Sequence, residues 1–350
     1  MLDTYLAKFE RLLEADGEHY AHVERAYRRV FAWEEVEELP YVWSDLPPIA
    51  DTDWPTYEYN DTFVDPAKML LSQLSAPFFH YQARDYHPLN IRANYGTVIL
   101  PSILGAEYQL TETSLPWAHH LPNRAAIRQL VARGVPDVDS GLGGTCFETA
   151  QYYVEALAPY PHLSREVHIY HPDLQGPFDV AHLLWGPDIF YALYDCPALV
   201  HELLELVAET YIRWLREWKA RMGEENGFTA HWSILMRGGA MIRDDTPVML
   251  SPKQYETFVR PYDQRLLDAF GGCIHFCGRG DHFVSSMVAS EHLYGLHVSQ
   301  PELNDMGCIW ELSRRHHLVL LDLEERFVPS GARTGVTLRR SWNKSATKGV

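Results

Sequence analysis

The chain has 350 residues, 46% of them hydrophobic, enough for a large core and far from the composition of a disordered chain. Its 30 Lys plus Arg face 47 Asp plus Glu, a formal charge of −17, which argues against a broad nucleic-acid or anionic-membrane surface but leaves room for a local basic pocket. Met1–Gly17 alternates charged and apolar residues, unlike a secretory leader, and no apolar run approaches the roughly 20 residues of a membrane span. Five widely spaced cysteines, an odd number, fit reduced thiols and a cytoplasmic protein better than a disulfide framework.

Residues 1–60 read as an N-terminal helical extension. Leu6, Phe9, Leu12 and Leu13 recur at helical spacing, as do Val23, Tyr27 and Val30, and Pro40–Pro55 reads as a Pro- and Trp-rich connection. From residue 61 helices and strands alternate. Asp65-Pro66 caps a helix that runs to about Arg84. Thr97–Leu100 reads as a buried strand, and a helix at Arg124–Arg133 stops at Gly134. Phe147–Leu157 is helical, and Val167–Tyr170 is a strand that ends in His171-Pro172-Asp173. The longest helix runs from Pro197 to about Met222. Phe228–Met236 reads as the next strand. Ser251 and Gln254 form a capping box. A strand follows at Cys273–Cys277, a helix from Asp281, a strand at Gly295–Ser299, a helix after Pro301, and strands at Leu318–Leu321 and Val336–Leu338. The chain ends in a basic, polar tail. Strands separated by helices pair in parallel through right-handed crossovers, and seven or eight such units predict an α/β fold with a (β/α)8 barrel over residues 61–350. No Gly-x-Gly-x-x-Gly follows the first strand and no Walker-type loop occurs, so neither a dinucleotide nor a P-loop reading has a motif behind it.

In such a barrel the chemistry lies at the C-terminal ends of the strands. Five clusters sit there by this reading: Asn94-Tyr95, then His171/Asp173/Gln175, then Asp244-Asp245, then His275/Cys277, and Gln300/Glu302/Asn304/Asp305. His231 is added as a substrate contact from the strand before Asp244. His275 and Cys277 alternate onto one face of a strand, and imidazole with thiolate is a zinc-type ligand pair. The bland reading is a buried cysteine packed beside a satisfied histidine. Cys273 shares that face but lies roughly 13 Å from Cys277 by strand rise, too far for the same ion. Adjacent Asp244 and Asp245 point different ways, so one of them at most enters a site. The run from Gln300 to Asp305 also reads as an acidic helix start.

Gln175-Gly176-Pro177-Phe178-Asp179, Asp244–Tyr262, His275-Phe276-Cys277-Gly278 and Val98–Glu107 occur in this order, and together they resemble the uroporphyrinogen decarboxylase superfamily over roughly residues 60–340. The resemblance implies a TIM-type barrel, often a homodimer. True decarboxylases of that superfamily use an N-terminal arginine motif that is absent here, and Gly96 stands at the position of their key aspartate. Near Leu183 and at Asp245 the chain also departs from their tyrosine and serine. The zinc- and corrinoid-linked methyltransferase branch is nearer. It implies His275 and Cys277 as zinc ligands with a later cysteine as the third. No cysteine follows Cys308, which leaves two alternatives open: Asp322, Glu324 or Glu325 as a substitute oxygen ligand, or a site that holds no metal. Asp244 and Asp245 are the candidate catalytic acids, of which one at most enters the site. Asn94, Tyr95, Asp173, Gln175, His231, Gln300, Glu302 and Asn304 are the substrate contacts. The substrate is a small molecule, and the corrinoid is carried by a separate protein, since no Asp-x-His-x-x-Gly pattern occurs. Two alternatives stay open: decarboxylation of a tetrapyrrole or another acid, and a non-catalytic barrel that binds a tetrapyrrole or corrinoid protein.

Overall fold

The computed structural model describes residues 1–111 and 115–343; the basic tail at 344–350 lies outside the described residues. The two N-terminal amphipathic patterns are helices Leu2–Ala15 and His19–Phe31, which bury Leu6, Phe9 and Leu13 and then Val23, Tyr27 and Val30. Within the segment read as a connection, Tyr41–Asp45 is a strand, β1. The strands that follow are β2 (Asn90–Ile91), β3 (Tyr108–Gln109), β4 (Trp117–Ala118), β5 (His168–Ile169), β6 (Phe228–His231), β7 (Ile234–Arg237), β8 (Ala240–Arg243), β9 (Gly272–Phe276), β10 (Leu293–Val298), β11 (Val319–Glu324) and β12 (Val336–Ser341).

Six strands form one parallel sheet in the order β1-β12-β11-β10-β9-β8, and β2 pairs in parallel with β5. Main-chain hydrogen bonds tie this pair to both edges of the sheet. Tyr86 N donates to Tyr41 O beside β1, and Gly176 N donates to Arg243 O at the end of β8, both at 2.9 Å. This α/β arrangement is consistent with a TIM-like fold. The long helix Pro197–Met222 packs outside it, burying Val200, Leu203, Leu204, Val207, Tyr211, Trp214, Leu215 and Trp218 against helices Pro177–Trp185 and Arg260–Phe270. No helix among the described residues is long and apolar enough to cross a membrane.

Two stretches read as strands fold otherwise. Gly96–Val98 is a 3-10 turn, and Ile99–Ile103 is a short buried helix. An apolar run this short suits either state, and Pro101 stands in the first helical turn, where its missing N–H costs nothing. The second stretch, Phe228–Met236, is not one strand but the hairpin β6–β7, folded back at Trp232-Ser233 with Trp232 in the left-handed region (φ 51°). The sheet strand begins only after Gly238-Gly239, where a side chain on Gly238 would strike the Gly271–Gly272 backbone.

This hairpin positions the site. The Trp232 carbonyl accepts from Asn90 Nδ2 at 2.7 Å, its N–H donates to the Tyr170 hydroxyl at 3.2 Å, and its indole N–H donates to Asp173 Oδ2 at 3.3 Å. Its ring lies 5.0 Å from that of His275 and 5.5 Å from that of His297, under the Arg243 guanidinium. Groups from β2, β8, β9, β10 and the segment after β5 therefore surround Trp232, and the hairpin tip is the floor beneath the C-terminal ends of the strands.

Candidate metal centre

Register places the site in two layers. Arg243, His275 and His297 are direct partners across β8, β9 and β10, so their side chains share a face. Two residues further on, Asp245 and Cys277 point the same way from neighbouring strand ends. Asp245 Oδ1 lies 3.1 Å from His275 Nε2, and Cys277 Sγ lies 3.2 Å from the same nitrogen. The Cys277 N–H donates to Asp245 Oδ1 at 3.1 Å. One nitrogen, one sulfur and one carboxylate oxygen thus fall within 4.8 Å of one another.

Electrostatics suit these groups to a cation. Burial pushes His275 down to about 4, with the hydrogen bond to Asp245 and its charge opposing, so the imidazole is neutral at pH 7. For Asp245 burial acts to raise the pKa, but hydrogen bonding to His275 and the charge of Arg243 outweigh it and hold the carboxylate low. Burial, and then the Asp245 charge, push the Cys277 thiol up to about 11. A neutral imidazole, a carboxylate and a thiol that needs a cation to ionise are the donor set of an open, three-ligand zinc-type site. The third potential donor, Asp245, stands just past the end of β8. Asp322 instead faces His297 and Arg339, Glu324 pairs with Arg326 at 2.9 Å, and Glu325 lies 3.8 Å from Arg340.

The remaining expected site residues divide. Asp173, Gln175 and His231 meet beside the centre. Asp173 bridges Arg92 Nη1 at 2.6 Å and Arg243 Nη1 at 3.2 Å, and His231 Nε2 lies 3.4 Å from it. With its amide oxygen turned toward Arg243, Gln175 accepts at 3.1 and 3.3 Å. Arg243 also reaches Asp245 Oδ2 at 3.6 Å, joining this floor to the centre. Burial drives His231 well below the usual histidine range, aided by the positive charges around it.

Asp244 is fully buried on the opposite face, its carboxyl near the Tyr255 hydroxyl at 3.5 Å and beside Asp263, because adjacent strand residues alternate sides. Tyr95 is also in the core, its hydroxyl hydrogen-bonded to Thr149 and its ring against Phe63. Asn94 meets Met69 and Tyr59 through its main chain. Gln300 and Glu302 are exposed. Asn304 clamps the loop after Cys277. Its oxygen accepts from the Gly280 and Asp281 N–H groups, and its amide donates to Gly278 and Gln300.

Sequence reasoning missed Arg92, Trp232, Arg243 and His297, and it named Asp322 only as a metal ligand, whereas its carboxylate faces His297 and Arg339. None stands in a motif, and cross-strand register alone assembles them. Asp179, which reads as a helix cap, accepts from the Asp245 and Thr246 N–H groups at 2.7 and 2.6 Å and so anchors the ligand-bearing turn.

No family model matches the sequence. No curated protein matches it either. Among solved structures, a methyltransferase from Methanosarcina mazei is similar, with a TM-score of 0.60 at 15% identity over 85% of this chain and 82% of that one. At that identity the likeness establishes the shared fold.

Proposed function

We propose that the chain is a methyltransferase-like enzyme on a distorted (β/α)8 barrel, formed by the six-stranded sheet and the β2–β5 pair; the segment 1–60, expected to lie outside the barrel, contributes β1 to that sheet, and its helices Leu2–Ala15 and His19–Phe31 are the extension. His275, Cys277 and Asp245 hold a zinc ion. The observation that carries this reading is the convergence of three donor atoms of zinc type at the C-terminal ends of β8 and β9. The fold shared with a protein described as a methyltransferase supports it.

Bound there, zinc would supply the Lewis acidity that turns a substrate thiol into a nucleophilic thiolate at neutral pH. His275 offers Nε2 as a neutral donor. Asp245 supplies a fixed negative charge, its backbone pinned by Asp179. Cys277 gives up its proton when it ligates. Trp232 closes the floor against water from below. Two guanidinium groups share Asp173, so the floor favours a small-molecule substrate with an anionic group near Arg92 and Arg243. The methyl donor on this reading is a corrinoid carried by a separate protein, and the chain works in the cytoplasm as a homodimer.

Decarboxylation has less behind it. Gly96, at the place of the decarboxylase aspartate, has a left-handed φ of 67°, and a Cβ there would lie 3.1 Å from the Pro116 ring.

Metal analysis of the untagged protein tests the reading. About one zinc per chain, lost in C277A and in D245A, is expected. A wild-type protein that stays metal-free under zinc-replete conditions would overturn it.

A further inference from the structure

We infer that His297, backed by Asp322, fixes the tautomer of the metal-binding imidazole and so sets how tightly the centre holds its metal. This inference rests on the zinc reading of His275, Cys277 and Asp245.

The two Nδ1 atoms of His275 and His297 lie 2.8 Å apart. At that distance one of them donates and the other accepts, because two lone pairs would repel and two N–H groups would clash. A metal on Nε2 of His275 requires the proton on its Nδ1. His297 must then accept at Nδ1 and, as a neutral ring, carry its own proton at Nε2. That nitrogen is buried without a hydrogen-bond partner and faces Asp322 Oδ2 at 3.7 Å. A carboxylate behind the second imidazole favours this tautomer over the reverse one.

The position of Asp322 depends on an irregular backbone. Gly295, two residues before His297, pairs with Val319, and this alternation turns Leu321 inward and Asp322 outward in a regular strand. The register between β11 and β12 slips between Leu320 and Leu323, and Asp322 takes a left-handed φ of 52°. A non-glycine residue keeps such a backbone only where its surroundings enforce it. Here they do. The Asp322 N–H donates to Thr337 Oγ1 at 2.8 Å, Arg339 donates to the Asp322 carbonyl at 3.2 Å, and Arg339 Nε lies 3.2 Å from the carboxylate. The bulge returns the carboxylate to the edge of His297. Trp232 packs edgewise on both imidazoles, and both are buried. A ligating imidazole whose free N–H is accepted by a fixed partner is a better donor, and removing such a partner costs 10–100-fold in affinity.

Zinc competition against a chromophoric chelator, on metal-stripped full-length protein, tests this. His297→Phe keeps the ring volume and removes both nitrogens, and it is expected to weaken zinc binding ten- to hundredfold. His297→Asn places an amide oxygen near the Nδ1 position and is expected to recover most of that loss. Asp322→Asn is expected to shift affinity in the same direction as His297→Phe. Wild-type affinity in His297→Phe would overturn the inference. Loss in His297→Asn as large as in His297→Phe would also overturn it, since packing and not the hydrogen bond would then be responsible. Absence of zinc binding by the wild type would instead overturn the metal reading beneath it.

Discussion

Asp245 Oδ1 and His275 Nε2 lie 3.1 Å apart although their positions differ by 30 in sequence and two α-helices lie between β8 and the His-x-Cys strand. The third member of the candidate triad is thus a neighbour in register and not in sequence. Asp245→Asn keeps the shape and removes the charge, and it is expected to weaken zinc binding at least ten- to hundredfold. Asp244→Asn, one residue away but on the other face, is expected to leave that affinity unchanged. Chelator competition on the two variants separates them, and equal losses would contradict the assignment of the faces.

Zinc binding should release one proton near pH 7. The Cys277 thiol, pushed up to about 11, is protonated in the metal-free protein, whereas His275, pushed down to about 4, is already neutral. Apparent zinc affinity should therefore rise about tenfold per pH unit between about pH 6 and 8. Calorimetry in buffers of different ionisation enthalpy measures the proton count, and a count near zero would mean that Cys277 does not ligate.

The indole at the hairpin tip should carry more stability than its partial exposure suggests. Trp232→Ala is expected to cost about 3 kcal/mol, near the lower end for removing a large packed aromatic ring. Trp232→Phe should cost about 1 kcal/mol, the loss of the hydrogen bond to Asp173. Urea unfolding of metal-free protein gives both values. A near-neutral Trp232→Ala would mean that the hairpin does not brace the strands around it.

The contribution of Asp263 to the stability of the metal-free protein should fall as pH rises from about 4 to about 7. Burial raises Asp263 to about 7, with the charge of Asp179 adding to the effect. In that window the folded state holds a proton that the unfolded chain has released, so the stabilisation is full at low pH and is lost as pH climbs through the folded value. Asp263→Asn is uncharged throughout and should flatten this part of the profile. Thermal melts across pH for both proteins check the sign, and a stability advantage of wild type over Asp263→Asn that grows from pH 4 to 7 would contradict it.

Much of the secondary structure was legible from periodicity. The Pro197–Met222 helix, the Asp65 N-cap and the Ser251–Gln254 capping box all form, because local apolar spacing and cap chemistry decide them. Thr97–Leu100 misled because a short apolar run satisfies either a strand or a buried helix. Phe228–Met236 misled because its β-forming residues continue across a two-residue turn whose first position is a tryptophan with positive φ, where glycine or asparagine would normally signal the reversal.

By itself the sequence determined that His275 and Cys277 share a face, and that Asp244 and Asp245 diverge. Alternation along one strand is a local property of the backbone. Only the tertiary structure decided that Asp245 is the inward member, that Arg243 and His297 flank His275, and that a bulge turns Asp322 toward them. Those relations depend on register between strands far apart in sequence, and long-range pairing fixes register through burial of whole faces.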